Sequence, residues 1–79
     1  MVQTYRITST VAGVTRSVNI KKYILDFYAV QLECSVSDAK DSVRNVMRYL
    51  VVDLGYDSLT ADLVSERMLI QVNSKTSNL

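Results

Sequence analysis

The sequence predicts a small, mainly α fold in which one short β-strand leads into two amphipathic helices. Three observations point there. The stretch "VTRSVNI" alternates polar and apolar residues, the period of a half-buried strand. Beyond Lys21 and Lys22 the apolar residues fall instead at helical spacing, and they keep it to Leu54. A chain of 79 residues buries only about 60% of its unfolded surface. A second copy is the simplest stabiliser for such a chain, so the fold is expected as a homodimer.

Residues 1–13 read as an N-terminal arm or an extra strand. "TYRITST" is rich in β-branched residues, and Gly13 offers a turn, so a hairpin with the next segment is possible. The cleaner strand runs from about Val14 to Ile20. A helix then extends from Lys21 to near Cys34, with Ile24, Leu25, Tyr28 and Leu32 along one stripe that Phe27 widens. "SVSD" supplies N-cap candidates. The second helix has the clearest period: Ala39, Val43, Val46, Met47, Leu50, Val51 and Leu54, with Gly55 placed as its C-cap. Residues 14–55 thus form the core unit.

Residues 56–79 are a C-terminal extension with two readings. Asp57 or Ser58 could cap a third helix carrying Leu59, Leu63 and Val64 through about Met68, while "RMLIQVN" alternates as a strand would. The polar end, "NSKTSNL", is expected to fray.

Composition excludes several function classes. Histidine is absent and Cys34 is the single cysteine, which rules out an intrachain disulfide and leaves no Cys/His zinc site. Cys34 reads as a small apolar group near a helix end. With no histidine, no Gly-rich phosphate loop and no paired carboxylates, the chain is not expected to be an enzyme, nor to hold a metal or cofactor. No segment approaches the ~20 apolar residues of a membrane span, and "MVQTYRITST" is too polar for a signal peptide. The expected setting is therefore cytoplasmic. Net charge is only +1, but it is unevenly spread. Arg6, Arg16, Lys21 and Lys22 all precede the first acid, Asp26.

An isolated strand has no ladder partner for its backbone groups. Pairing Val14–Ile20 with its copy in a second chain gives a two-stranded antiparallel ribbon. Val18 and Ile20 then bury against both sets of helices, and Thr15, Ser17 and Asn19 face outward. Such a ribbon fits the major groove of B-DNA, where short polar side chains read base edges. Asn19 is the best candidate, because an amide bonds adenine at two points. Lys21 and Lys22 at the strand–helix joint, with Arg16, could neutralise phosphates. The start of the second helix, at Ser37, Asp38, Ala39 and Lys40, offers backbone N–H groups to an anion, although Asp38 and Asp41 oppose one there.

The stretch Arg16 to Leu50, "RSVNIKKYILDFYAVQLECSVSDAKDSVRNVMRYL", resembles the ribbon-helix-helix DNA-binding family. The order strand, helix, turn, helix carries the resemblance, together with "SVRNVMRYL" and the outward positions Thr15, Ser17 and Asn19. It implies an intertwined homodimer that binds double-stranded DNA through a shared ribbon, with room for higher assembly on DNA. It also implies a repressor or a plasmid- or virus-type regulator. Val18, Ile20, Val43, Val46, Met47 and Leu50 would form the dimer core, and Arg44 and Arg48 would be exposed or ion-paired across the dimer. Residues 57–73 could hold a protein partner.

One alternative belongs to another class. It is a small protein-binding module or inhibitor with a β-hairpin packed on helices, in which "TYRITST" pairs with the next segment inside one chain.

Overall fold

The computed structural model describes residues 2–76, with side chains described to Ser74. Five elements follow one another: β1 (Thr4–Val11), β2 (Val14–Lys21), α1 (Lys22–Leu32), α2 (Val36–Val52) and α3 (Ala61–Thr76). The architecture is a two-stranded antiparallel sheet followed by three helices.

The strand predicted at Val14–Ile20 is present, but its partner differs from the expected one. β2 pairs with β1 of the same chain, in the register Tyr5↔Ile20, Ile7↔Val18 and Ser9↔Arg16 on one face. The reason lies in residues 12 and 13. Ala12 (φ 52°) and Gly13 (φ 78°) both adopt the left-handed conformation, which a two-residue hairpin turn of matching twist requires. β2 thus has its ladder without a second chain, and a ribbon shared between chains is not needed to satisfy its backbone. Two eight-residue strands also make the fold more mixed than the mainly α fold with one short β-strand that the sequence predicts.

One face of the hairpin enters the core. Ile7, Val18 and Ile20 are buried there. β1 lies against α2 and β2 against α3, while α1 touches both strands. The ladder continues one residue past β2, where the Lys22 N–H donates to the Gln3 carbonyl (2.8 Å). That bond satisfies one of the N–H groups a helix start leaves unpaired, and it explains how a strand can run into α1 with no loop. At the other end of α1, Glu33 is left-handed (φ 56°). The Cys34 N–H then reaches the Ala29 carbonyl and the Glu33 N–H reaches the Val30 carbonyl, both at 3.1 Å, the paired bonds of a Schellman end.

α2 begins at Ser35, whose Oγ accepts from the Asp38 N–H (3.1 Å). It buries Ala39, Val43, Val46, Met47 and Leu50; of the other two residues expected on that stripe, Val51 is half-buried and Leu54 lies past the helix end and is exposed. Gly55 (φ 78°) turns the chain so that the Tyr56 N–H meets the Leu50 carbonyl (3.0 Å).

α3 resolves the two readings of the C-terminal segment. "RMLIQVN" is helical, because Val64, Met68 and Val72, four residues apart, are all buried. The alternation of Met68, Ile70 and Val72 loses to that stripe, and Ile70 is exposed. The cap is Thr60, rather than Asp57 or Ser58: its Oγ1 accepts from the Leu63 N–H (3.1 Å).

Ile7 of the first 13 residues and the α3 stripe share one core with Val18, Ile20, Val43, Val46, Met47 and Leu50. The last six, expected at a dimer core, are buried inside a single chain. Arg44 is also used within the chain. It pairs with Asp41 (2.6 Å), and its Nε donates to the Thr8 carbonyl of β1 (3.1 Å). Arg48 is exposed.

Candidate nucleic-acid interface

The outer face of the hairpin follows from the pleat. Side chains alternate across a strand, so burial of Ile7, Val18 and Ile20 sends the intervening residues outward. Four cross-strand pairs result: Thr4↔Lys21, Arg6↔Asn19, Thr8↔Ser17 and Thr10↔Thr15. All eight residues are exposed. None is acidic and none is a large apolar residue. Two hydroxyl pairs bridge the strands, Thr8 Oγ1 with Ser17 Oγ and Thr10 Oγ1 with Thr15 Oγ1, each at 2.8 Å. Each hydroxyl keeps further lone pairs for a partner outside the chain.

Thr15, Ser17 and Asn19 therefore stand together and outward, with β1 adding a second row. From the Thr4 pair to the Thr10 pair the face spans about 20 Å at the rise of an antiparallel strand, and its two strands lie about 4.8 Å apart. That width suits a groove about 12 Å wide.

The residues expected to hold phosphate are dispersed. Lys21 lies on the outer face, opposite Thr4. Lys22 Nζ pairs with Asp26 Oδ2 at 2.9 Å, one helical turn away. The hydrogen bond and the charge of Asp26 raise the lysine's pKa above its ordinary value. Asp26 is also near the Tyr5 hydroxyl (3.4 Å), so Lys22 is already matched by a carboxylate. Arg16 alternates onto the inner face, where its Nε donates to the Asp57 carbonyl (3.2 Å) and ties β2 to the segment before α3. Lys40 Nζ sits 4.6 Å from the centre of the Tyr5 ring, a cation–π contact. Ser37 is exposed in the first turn of α2, but the Asp38 N–H beside it is taken by Ser35.

Arg6 is the member that the sequence reading left out of the site. It is exposed and faces Asn19 across the ladder. Among the described residues, no carboxylate lies within ion-pair distance of Arg6 or Lys21. The signal was the spacing of Thr4, Arg6, Thr8 and Thr10, an alternation in phase with Ile7. It becomes readable only once "TYRITSTV" is known to pair with β2.

Tyr28 is buried, as expected of a packing residue, and its hydroxyl donates to Gln71 Oε1 at 2.9 Å, joining α1 to α3. Tyr23 is 63% exposed. Cys34 is a free thiol, half-buried beside the core. Among the described residues there is no cluster of His, Cys, Asp or Glu able to hold a metal, and no helix is long and apolar enough to cross a membrane.

Compared with known protein families, with characterised proteins and with solved structures, the chain matches none.

Proposed function

We propose that this protein binds double-stranded DNA by laying the outer face of its β-hairpin in the major groove, and that it acts there as a regulator of transcription. One observation carries the reading. A two-stranded ribbon presents eight short polar or cationic side chains with no carboxylate among them. A ribbon is one of the two elements a major groove admits. Asn19 is the base reader, able to take an adenine edge with both atoms of its amide. Arg6 either joins it on a guanine edge or takes a phosphate. Lys21 supplies a sequence-independent phosphate contact. Thr8, Thr10, Thr15 and Ser17 donate to or accept from either. The order of β2, α1 and α2 keeps the likeness to the ribbon-helix-helix family, with the ribbon drawn from one chain.

Selection of the purified protein against random duplexes at about 0.15 M salt, which suppresses weak nonspecific binding, tests this. Enrichment of a defined motif, in which Asn19→Ala relaxes the preference at one base pair, is the expected result. A folded protein that enriches nothing would reject the reading.

A second reading rests on a different observation. Tyr49, Leu54, Tyr56 and Ile70 are exposed along the groove between α2 and α3. Arg67 lies among them, 4.8 Å from the Tyr49 ring centre and 3.3 Å from its hydroxyl. A protein-binding module would use this groove, whose α3 side, Arg67 and Ile70, falls in the expected 57–73 region and whose other side comes from α2 and the segment after it. Capture of a partner lost with Ile70→Asp but not with Asn19→Ala would favour it.

A further inference from the structure

α1 is apolar on two sides. Of its eleven residues only Lys22, Asp26 and Gln31 are polar. Leu25, Tyr28 and Ala29 are buried against the core, and Ile24 and Leu32 are half-buried beside them. Tyr23, Phe27 and Val30 form a second stripe at i, i+4 and i+7, and they are 63%, 49% and 69% exposed. A helix that is apolar all round belongs in an interior. Val2, 61% exposed, extends the patch beside Tyr23.

We propose that a second copy of this chain covers that stripe, α1 packing antiparallel on α1 about a two-fold axis through Phe27. The stripe is self-complementary in that arrangement. Phe27 meets its symmetry mate, and Tyr23 of one protomer meets Val30 of the other. The charges at the two ends also match. Lys21, with no carboxylate within ion-pair distance among the described residues, stands at the N-terminal end of α1 and Glu33 at its C-terminal end, so antiparallel docking sets Lys21 opposite Glu33. Parallel docking would set like charges together. The stripe itself holds no charge to be desolvated. Two partly exposed aromatics and two valines offer on the order of 400 Å² per protomer, the small and transient end of interface sizes. The dimer is therefore weak and concentration-dependent. It needs no ribbon shared between chains. Because β2 runs into α1 without a loop, it would hold two complete hairpins related by the two-fold.

Sedimentation equilibrium of the full chain tests this without DNA, so its failure is separable from failure of the DNA-binding reading. From about 1 to 500 μM the average mass should rise from 8.9 kDa toward twice that value. Phe27→Asp should hold it at the monomer mass, with helix content and Tm unchanged, since the side chain is half in solvent. A second variant guards against a folding defect. In a Cys34→Ser background, Phe27→Cys should form a disulfide-linked dimer under mild oxidation, while Val52→Cys on α2 should not. A wild-type chain that stays monomeric throughout overturns the proposal. So does a dimer that Phe27→Asp leaves as tight, or one in which Phe27→Cys does not cross-link. A monomer that binds a different protein through Phe27 would also overturn it.

Discussion

Arg6 and Asn19 face each other across the two strands of the hairpin, on the side turned away from the core. A guanidinium and an amide are the two side-chain heads best shaped for bidentate bonding to base edges. Here one lies on each strand of a ribbon that a groove can accept.

Asn19→Ala should cost about 1–3 kcal/mol of binding to the selected sequence and relax preference at one base pair. Equal losses on selected and random duplexes would remove Asn19 as a base reader. The comparison is a titration of both duplexes with each protein.

Lys21→Ala should weaken binding to every duplex alike and reduce the slope of log K against log salt by about 1. Lys22→Ala should change little, because Asp26 already neutralises that lysine at 2.9 Å. If Lys22→Ala flattens the slope while Lys21→Ala does not, the phosphate assignment is reversed.

Ala12 occupies the first position of the hairpin turn at φ 52°, a conformation costly for any residue with a Cβ except Asn or Asp. Asn-Gly is the preferred pair for a turn with both φ values positive. Ala12→Asn should therefore stabilise the fold by about 0.5–1 kcal/mol and raise Tm by a few degrees. Gly13→Ala should do the reverse: open space surrounds the position, but its φ of 78° strains an alanine. Thermal unfolding of the two variants checks both signs.

The helices were legible in the sequence because each writes its period into apolar residues that end up inside. Val43, Val46, Met47 and Leu50 predicted their own burial. The hairpin was legible only as an option, since β1 offers one fully buried residue, Ile7, and its turn uses an alanine where glycine or asparagine would announce it. α3 misled for a related reason. Met68, Ile70 and Val72 fit a strand period, and only the packing of Val64, Met68 and Val72 together decides for a helix. The outward positions Thr15, Ser17 and Asn19 followed from alternation alone. The Asp26 partner of Lys22 is an i, i+4 spacing within α1 that the sequence carries, whereas the Asp57 carbonyl that Arg16 meets depends on how elements come together, which no local pattern encodes.

Tyr28 links pH to stability. Its hydroxyl is buried between α1 and α3, and burial raises the phenol's pKa above its ordinary 10.0, a pull that Ser42 opposes in part. A raised pKa means the folded state holds the proton more tightly than the unfolded one. This contribution is therefore full below pH about 10 and is lost as pH rises through the folded value. Tyr28→Phe should remove that share of the alkaline loss. It should also leave Gln71 without its donor, at about 0.5–1.5 kcal/mol near neutral pH. Urea unfolding at pH 7 and pH 11 separates the two effects. A variant that loses stability with the same slope as wild type would show that Tyr28 is not the group responsible.

Ile7→Ala decides whether the first 13 residues are an arm or part of the fold. Ile7 is fully buried opposite Val18 and packs with the helices. Truncation there removes apolar contacts and leaves a cavity that the two-stranded sheet cannot fully close, for about 2–5 kcal/mol. The whole stability of a small domain is of order 5–15 kcal/mol. The variant should thus unfold at markedly lower temperature, in one transition seen alike by far-UV signal and tyrosine fluorescence. Thr8→Ala, one residue on but outward, loses only the hydroxyl pair with Ser17 and should stay within about 0.5 kcal/mol of wild type. If Ile7→Ala is as mild as Thr8→Ala, β1 is an arm resting on the surface, β2 lacks its partner in solution, and pairing between chains becomes necessary again.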